Sequence, residues 1–195
     1  MTRSDAPPQL ALDALCDLDH PIKVEAASWA REHLGHRYRV EADRESRFDE
    51  EGWRRCAEHG IHGIIVPTAD GGRGRDLITA LLTLEGLGSG ASDQGLLFAI
   101  ASQICSTQVA LTHFGSAEQR ARWLPRLCRG EAVGAFAITQ PDQGSDTDNI
   151  AARAVRLDGG GYRIDGHKAY ITLAPRADVV IVFASTDPSA RGWGI

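Results

Sequence analysis

The sequence predicts an α+β fold, with an all-helical region ahead of a β region. Two observations predict it. Apolar residues recur three or four apart through the first part of the chain. After Gly130 that period gives way to short β-branched and aromatic runs separated by glycine-rich turns. The helical part takes about 130 residues and the β part about 65. The expected domains are therefore 1–131 and 132–195.

Residues 1–8 are polar and proline-rich, the composition of a loose end. Two helices are expected over 10–43. There Ile22, Ala26, Trp29, Ala30 and Leu34 share a helical spacing, and Pro21 sits where a helix can begin. A further helix is expected over 49–59, stopped by Gly60. The run 61–66 is short and apolar, and Pro67-Thr68-Ala69-Asp70-Gly71-Gly72 is a turn-rich loop. Over 76–87 Leu77, Ile78, Leu81, Leu82 and Glu85 fall on or beside one helix face, with Gly86, Gly88 and Gly90 ending the helix. Asp93 can cap the next helix, which runs to residue 113. Ser116 followed by Gln119 is a capping-box signature for a helix reaching Cys128. Strands are expected over 133–139, 150–157, 162–165 and 179–184, with Asp158-Gly159-Gly160-Gly161 as a hairpin turn. The strand at 179–184 alternates little, so burial on both faces is expected, together with an unpaired edge.

At 195 residues the chain can bury a core. Hydrophobic residues make 43% and charged residues 24%, the balance of a soluble globular protein. A net charge of -5 argues against nucleic acid as a partner, because phosphate binding favours a basic surface. Lysine occurs only at Lys23 and Lys168. No segment approaches the apolar length that spans a bilayer, and the first ten residues lack the order of a signal peptide. A cytoplasmic protein without a membrane partner is expected. Cys16, Cys56, Cys105 and Cys128 form no CxxC pair and no zinc spacing, which reads as free thiols.

The most informative stretch is Phe136-Ala137-Ile138-Thr139-Gln140-Pro141-Asp142-Gln143-Gly144-Ser145-Asp146. An apolar run stops at a proline and opens into a polar loop around Gly144 and Ser145. Such a strand end can present backbone N–H groups and small hydroxyls to a ligand. By itself it reads equally as a polar turn between strands. Gly86-x-Gly88-x-Gly90 closes a helix rather than following a strand, which favours a cap over a dinucleotide fingerprint. Gly71-Gly72-Arg73-Gly74-Arg75 lacks the Gly-Lys-Ser/Thr end of a P-loop and reads as a surface loop. Cys56, His59 and His62 are interrupted by Gly60, so no metal site is expected. His33 and His36 read as solvated. Asp142, Asp146 and Asp148 fail the calcium-loop spacing and suit turns. Glu85 is a candidate buried acid, although such a residue more often snorkels outward.

Several motifs in order resemble the acyl-CoA dehydrogenase family. Glu85-Gly86-Leu87-Gly88 is similar to its Glu-Glu-Leu-Gly helix end. Phe114-Gly115-Ser116-Ala117-Glu118-Gln119 with Trp123-Leu124-Pro125 is similar to its Phe-Gly-Thr-Glu-Glu-Gln…Leu-Pro segment. Tyr162-Arg163-Ile164-Asp165-Gly166-His167-Lys168 resembles its Tyr-x-Leu-Asn-Gly-x-Lys hairpin. Ala177-Asp178-Val179 through Phe183-Ala184 resembles its Ala-Asp-…-Phe-Ala strand. The match covers Trp53 to the end.

The resemblance implies an N-terminal all-helical domain followed by an incomplete antiparallel β-barrel domain. It also implies FAD as cofactor. Phe136, Ala137, Ile138, Thr139, Gly144, Ser145, Tyr170, Ile171 and Thr172 are the cofactor-binding candidates that it marks. By that resemblance, main-chain amides and the Thr139 hydroxyl bond the polar edge of the ring, and Gly144 lets the backbone come close. Tyr170-Ile171-Thr172, matching Trp-Ile-Thr, covers one ring face. Ser145 contacts the thioester substrate or the cofactor. A flavin that accepts hydride gathers negative charge, and preorganised donors stabilise it.

Two residues depart from the family pattern: Gln140 stands where Glu is usual, and Tyr170 replaces Trp. The family's last helical domain, which carries the base that takes the substrate α-proton, is not among these 195 residues. No catalytic residue is assigned here. The expected activity is α,β-dehydrogenation of an acyl-CoA or acyl-carrier-protein thioester with hydride transfer to flavin, with electrons passing to an electron-transfer flavoprotein. The chain is then expected to be a fragment or split half, in a homo-oligomer or with a partner chain supplying the C-terminal domain. The alternative is a non-catalytic interaction module of the same ancestry. A third option, an oxygen-activating relative such as an acyl-CoA oxidase or flavin monooxygenase, is not separated from the first by this half.

Overall fold

The computed structural model describes residues 9–34, 40–187 and 189. Its helices begin with α1 (Gln9–Cys16), α2 (Pro21–His33), α3 (Val40–Arg44) and α4 (Glu50–Glu58). Then come α5 (Leu77–Gly90), α6 (Gln94–Ser102), a π-helical segment (Gln103–Gln108), α7 (Val109–Phe114) and α8 (Ala117–Cys128). Three helices rather than two occupy the described part of 10–43, and the chain turns between Asp17 and His20 to separate the first two. The expected loose end and His36 lie outside the described residues.

Short polar side chains start the longer helices. Asp49, Asp76, Asp93 and Ser116 each accept the backbone N–H three residues on, at 2.9, 2.9, 2.9 and 3.2 Å. Each bond satisfies one of the donors a helix start leaves orphaned. Gln119 returns the bond by accepting the Ser116 N–H at 2.8 Å, which completes the expected capping box. Residues 61–66 form turns that lead into a short 3₁₀ helix, Thr68–Asp70.

The glycines at the end of α5 do not stop it. The helix continues to Gly90, and two of the glycines carry its contact with α2. A Cβ on Gly86 would lie 2.4 Å from the Lys23 carbonyl oxygen, and one on Gly90 would lie 2.2 Å from that of Ala27. Here close approach of two backbones outweighs the low helix propensity of glycine. Beside this seam Lys23 is buried, with its Nζ 2.8 Å from both Leu15 O and Glu85 Oε1. The Glu85 side chain keeps 45% of its surface exposed, so Lys23 is the buried member of the pair.

The stretch from α6 to α7 is one continuous helix of 21 residues, Gln94–Phe114. By length and composition it is apolar enough to cross a membrane, which corrects the expectation that no segment is. Half of it is buried within the bundle, and its interior holds Gln103, Thr107 and Gln108. The main core gathers Ala30, Leu34, Trp53, Leu87, Ile100 and Ile104 from α2, α4, α5, α6 and the π segment. A second cluster joins Leu111, Leu124 and Leu127 to Val179 and Ile181.

The β part comprises β1 (Gly134–Ala137), β2 (Arg153–Arg156), β3 (Tyr162–Asp165) and β4 (Val179–Val182). β1 pairs with β4 in parallel, Gly134 opposite Val179, and β2 pairs with β3 antiparallel, Arg153 opposite Asp165. A single parallel bridge, Arg153 to Ser185, links the pairs. The expected antiparallel barrel is thus not formed among the described residues: there are two two-stranded pieces, only one of them antiparallel. The hairpin turn at 158–161 is present, with Gly160 and Gly161 at φ of 89° and 78°. β4 is not buried on both faces. Val180 and Val182 are 42% and 38% exposed, while Val179 and Ile181 pack on the second cluster.

Candidate functional site

Two segments thirty residues apart meet at the end of β1. Ala169 donates its N–H to Thr139 O at 3.1 Å, and Lys168 donates from Nζ to Ile138 O at 2.8 Å. The polar loop behind Thr139 closes as a tight turn in which Gln140 and Gln143 exchange backbone hydrogen bonds of 2.8 and 3.2 Å. Gln140 is buried. Its Oε1 accepts the Ala152 N–H at 2.9 Å, and its amide donates to the Gln143 side chain. An uncharged amide therefore fits this position, where it ties the loop to the strand that follows.

Eight of the nine residues marked by the sequence fall into three groups, and Tyr170 stands apart. Ile138, Thr139, Ile171 and Thr172 are half-buried and close to the joint. Among the described residues, nothing bonds the hydroxyls of Thr139, Ser145 and Thr172 or the N–H of Thr139. Phe136 and Ala137 belong to the strand: Ala137 is buried, and the Phe136 ring meets Phe183 edge-on at 5.0 Å. They can offer main-chain groups only. Gly144 and Ser145 lie on the exposed loop, where a Cβ at Gly144 would meet nothing within 4 Å. The close approach expected at Gly144 is not made to any part of this chain.

Tyr170 and Leu173 stand at φ of 58° and 65°, an uncommon conformation for residues with a Cβ. Such backbone collects at ligand sites, where surrounding structure holds it in place. Leu173 is anchored in the main core, whereas the Tyr170 ring is 87% exposed. Thr172 and Leu173 form one wall of a cavity of about 1130 Å³; Phe48, Asp93, Leu96 and Phe98 line other sides. Thr139, Gly144 and Ser145 do not line it. At the rim, Arg176 lies 4.5 Å from the Phe48 ring centroid and pairs with Glu50. Phe98 is 65% exposed, an aromatic ring left open to solvent beside the cavity.

Behind β1 lies a buried polar chain that sequence reasoning did not find. His62 Nε2 is 3.1 Å from Trp53 O, and its Nδ1 is 3.3 Å from Gln103 Nε2. Gln103 Oε1 accepts the Gly134 N–H at 2.8 Å. Burial holds His62 neutral, with its pKa lowered to about 4. A Cβ at Gly134 would sit 2.7 Å from Thr107 Cγ2, so only glycine lets the strand seat on the π segment. The available signal was the polar Gln103 and Gln108 within an apolar helix. His33, read as solvated, is half-buried and stacks on Trp29 at 4.8 Å; His59 stacks on the same ring at 4.3 Å. All four cysteines are free, and no cluster of three or more metal-ligating side chains occurs among the described residues.

Comparisons with known proteins align with this arrangement. Residues 19–131 match the family model described as "Acyl-CoA dehydrogenase, N-terminal domain", and residues 135–195 match "Acyl-CoA dehydrogenase, middle domain". An L-prolyl-[peptidyl-carrier protein] dehydrogenase of Pseudomonas fluorescens is 35% identical over 148 residues, covering 76% of this chain and 39% of that protein. A mitochondrial isovaleryl-CoA dehydrogenase of Pongo abelii is 32% identical over 188 residues, covering 93% of this chain and 44% of its own. Among solved structures, PigA with FAD and proline superposes with a TM-score of 0.80 at 31% identity, covering 98% of this chain and 48% of that one. The chain spans less than half the length of these relatives.

Proposed function

Because the chain belongs to the acyl-CoA dehydrogenase family, we propose that it provides the helical and middle-domain part of an FAD-dependent acyl-thioester dehydrogenase. The observation that carries this reading is the joint at Thr139 and Ala169, where one segment's free donors meet the segment bearing Thr172. The donor set suits a flavin. An electron-accepting ring edge needs N–H and O–H groups aimed at it, and Thr139 and Thr172 supply ones that are unpaired among the described residues.

Bound there, FAD would supply hydride acceptance from the β-carbon of the thioester. The residues of this chain bind and orient. Thr139, through its N–H and hydroxyl, and Thr172, through its hydroxyl, hold the polar edge. Tyr170 offers an aromatic face. Ser145 reaches the thioester or cofactor from the exposed loop. The cavity beside Thr172 and Phe98 receives the acyl group. The carrier is CoA or a carrier protein, as the names of the relatives indicate for those proteins. The α-proton base comes from outside these residues, in a further domain or a partner chain, and the electrons pass to a flavoprotein carrier.

The test is to express the chain together with a polypeptide bearing the family's remaining helical domain. A yellow complex that bleaches with an acyl thioester is expected; a colourless complex at saturating FAD contradicts the reading. The non-catalytic alternative draws on Gln140, whose amide serves the loop rather than a charged ligand. It predicts a stable complex without colour.

A further inference from the structure

Lys168 stands out among the groups beside the site. It is one of only two lysines, and no role falls to it from the sequence pattern. Its side chain is half-buried, and its Nζ meets two oxygens, Ile138 O at 2.8 Å and Gln140 Oε1 at 3.5 Å. Both are neutral. No carboxylate pairs with it among the described residues. Burial pushes its pKa below the usual lysine value, as expected for an ammonium held by dipoles alone.

The acceptor it holds matters. Ile138 O and the Thr139 N–H belong to one peptide unit, and no peptide here is cis. In a planar trans peptide the C=O and N–H point in opposite directions. Fixing the Ile138 carbonyl toward Lys168 therefore turns the Thr139 N–H to the other side, where no acceptor among the described residues meets it. The next peptide is held likewise, by Ala169 N on Thr139 O. Two adjacent residues of one segment thus lock two successive carbonyls of the other.

We propose that Lys168 is a positioning residue that aims the Thr139 N–H at the ligand by gripping the Ile138 carbonyl. The ammonium touches neither flavin nor substrate; it acts through the peptide plane. A charge-assisted bond is stronger than the neutral bonds of the surrounding loop, so it dominates the orientation of this unit. Gln140 complements the arrangement. It places a dipole, not a carboxylate, beside the amine and so leaves the ammonium free to spend its charge on Ile138 O. The proposal rests on the flavin reading for its purpose but not for its geometry.

The test compares wild type with Lys168→Met and Lys168→Arg in the isotope-labelled chain. Removing the donor should shift the Ile138 carbonyl carbon and the Thr139 amide nitrogen together, and Lys168→Arg should restore both. Unmoved resonances in a folded Lys168→Met protein overturn the proposal. Should that variant fail to fold, acetylation of the folded wild type removes the charge and two of the three N–H donors, which turns the charge-assisted bond into a neutral one at best, and Lys23 is too buried to compete. The same two shifts are then expected, and their absence again overturns it. FAD titration of the same variants, each joined by the family's remaining helical domain, adds a second arm. About tenfold weaker binding in Lys168→Met than in wild type is expected. Equal affinity overturns the role of Lys168 and leaves the flavin reading standing. A wild type that never binds FAD strikes the flavin reading alone, and the carbonyl shift still decides the Lys168 assignment.

Discussion

His62 and Gln103, 41 residues apart in sequence, meet at 3.3 Å inside the protein and connect the helical bundle to β1. The imidazole accepts from the Gln103 amide on one side and donates to Trp53 O on the other. Only a neutral ring can do both.

The first prediction concerns acid. The folded pKa of His62 is lowered to about 4 from a usual 6.5, so the unfolded chain takes up the proton first as pH falls. Its contribution is complete above pH 6.5 and is lost as pH falls toward 4, about 3 kcal/mol in all. His59, also lowered by burial, adds in the same sense. Urea unfolding between pH 7 and 5 should show stability dropping with pH, and His62→Gln should flatten most of that slope. An unchanged slope in the variant would remove His62 from the account.

The seam between α2 and α5 makes a second prediction with its own control. Gly86→Ala and Gly90→Ala force a methyl onto a backbone carbonyl and should cost about 2–3 kcal/mol each. Gly88→Ala meets only Gln94 Oε1 at 4.0 Å and should be neutral or stabilising by about 0.5–1 kcal/mol. Thermal melts of the three variants check the ordering.

How much of this was legible in the sequence is clear from particular residues. Asp93 and Ser116 announced their helices because capping is local chemistry, whereas the caps at Asp49 and Asp76 were not read from the sequence. The order of helices before strands was legible in the change of apolar period after Gly130, which is also a local signal. Gly86 and Gly90 misled, since local propensity marks a stop whereas the partner helix requires the absence of a side chain. The parallel pairing of β1 with β4 was hidden, because pairing depends on contacts 45 residues apart and not on any run of residues. At the site, Thr139 and Thr172 were visible as motif residues. The grip of Lys168 on Ile138 and the chain from Trp53 to Gly134 were not, being long-range polar contacts with no periodic signature.

Gln108 supports a third prediction. It is fully buried, and among the described residues neither its Oε1 nor its Nε2 finds a partner; Thr107 Oγ1 is in the same position. Unpaired buried amides cost stability, so Gln108→Leu should raise it by about 1–3 kcal/mol. A lower melting temperature in the variant would mean that the amide holds a ligand or a buried water.

The open edge of β4 supports a fourth. Among the described residues, Val180 and Val182 are exposed on a strand paired on one side only, by β1. Such edges recruit other strands. The chain by itself should self-associate in sedimentation, and Val182→Lys should shift it toward monomer. A wild type that stays monomeric at high concentration contradicts this.

The central claim is that the donors at Thr139 and Thr172 hold the polar edge of a flavin. Its most direct test is an FAD titration of the chain, joined by the family's remaining helical domain, in wild type and in Thr139→Val with Thr172→Val. Saturable binding by wild type, weakened about tenfold or more in the double variant, is the predicted result. Equal affinity in the two proteins would contradict it.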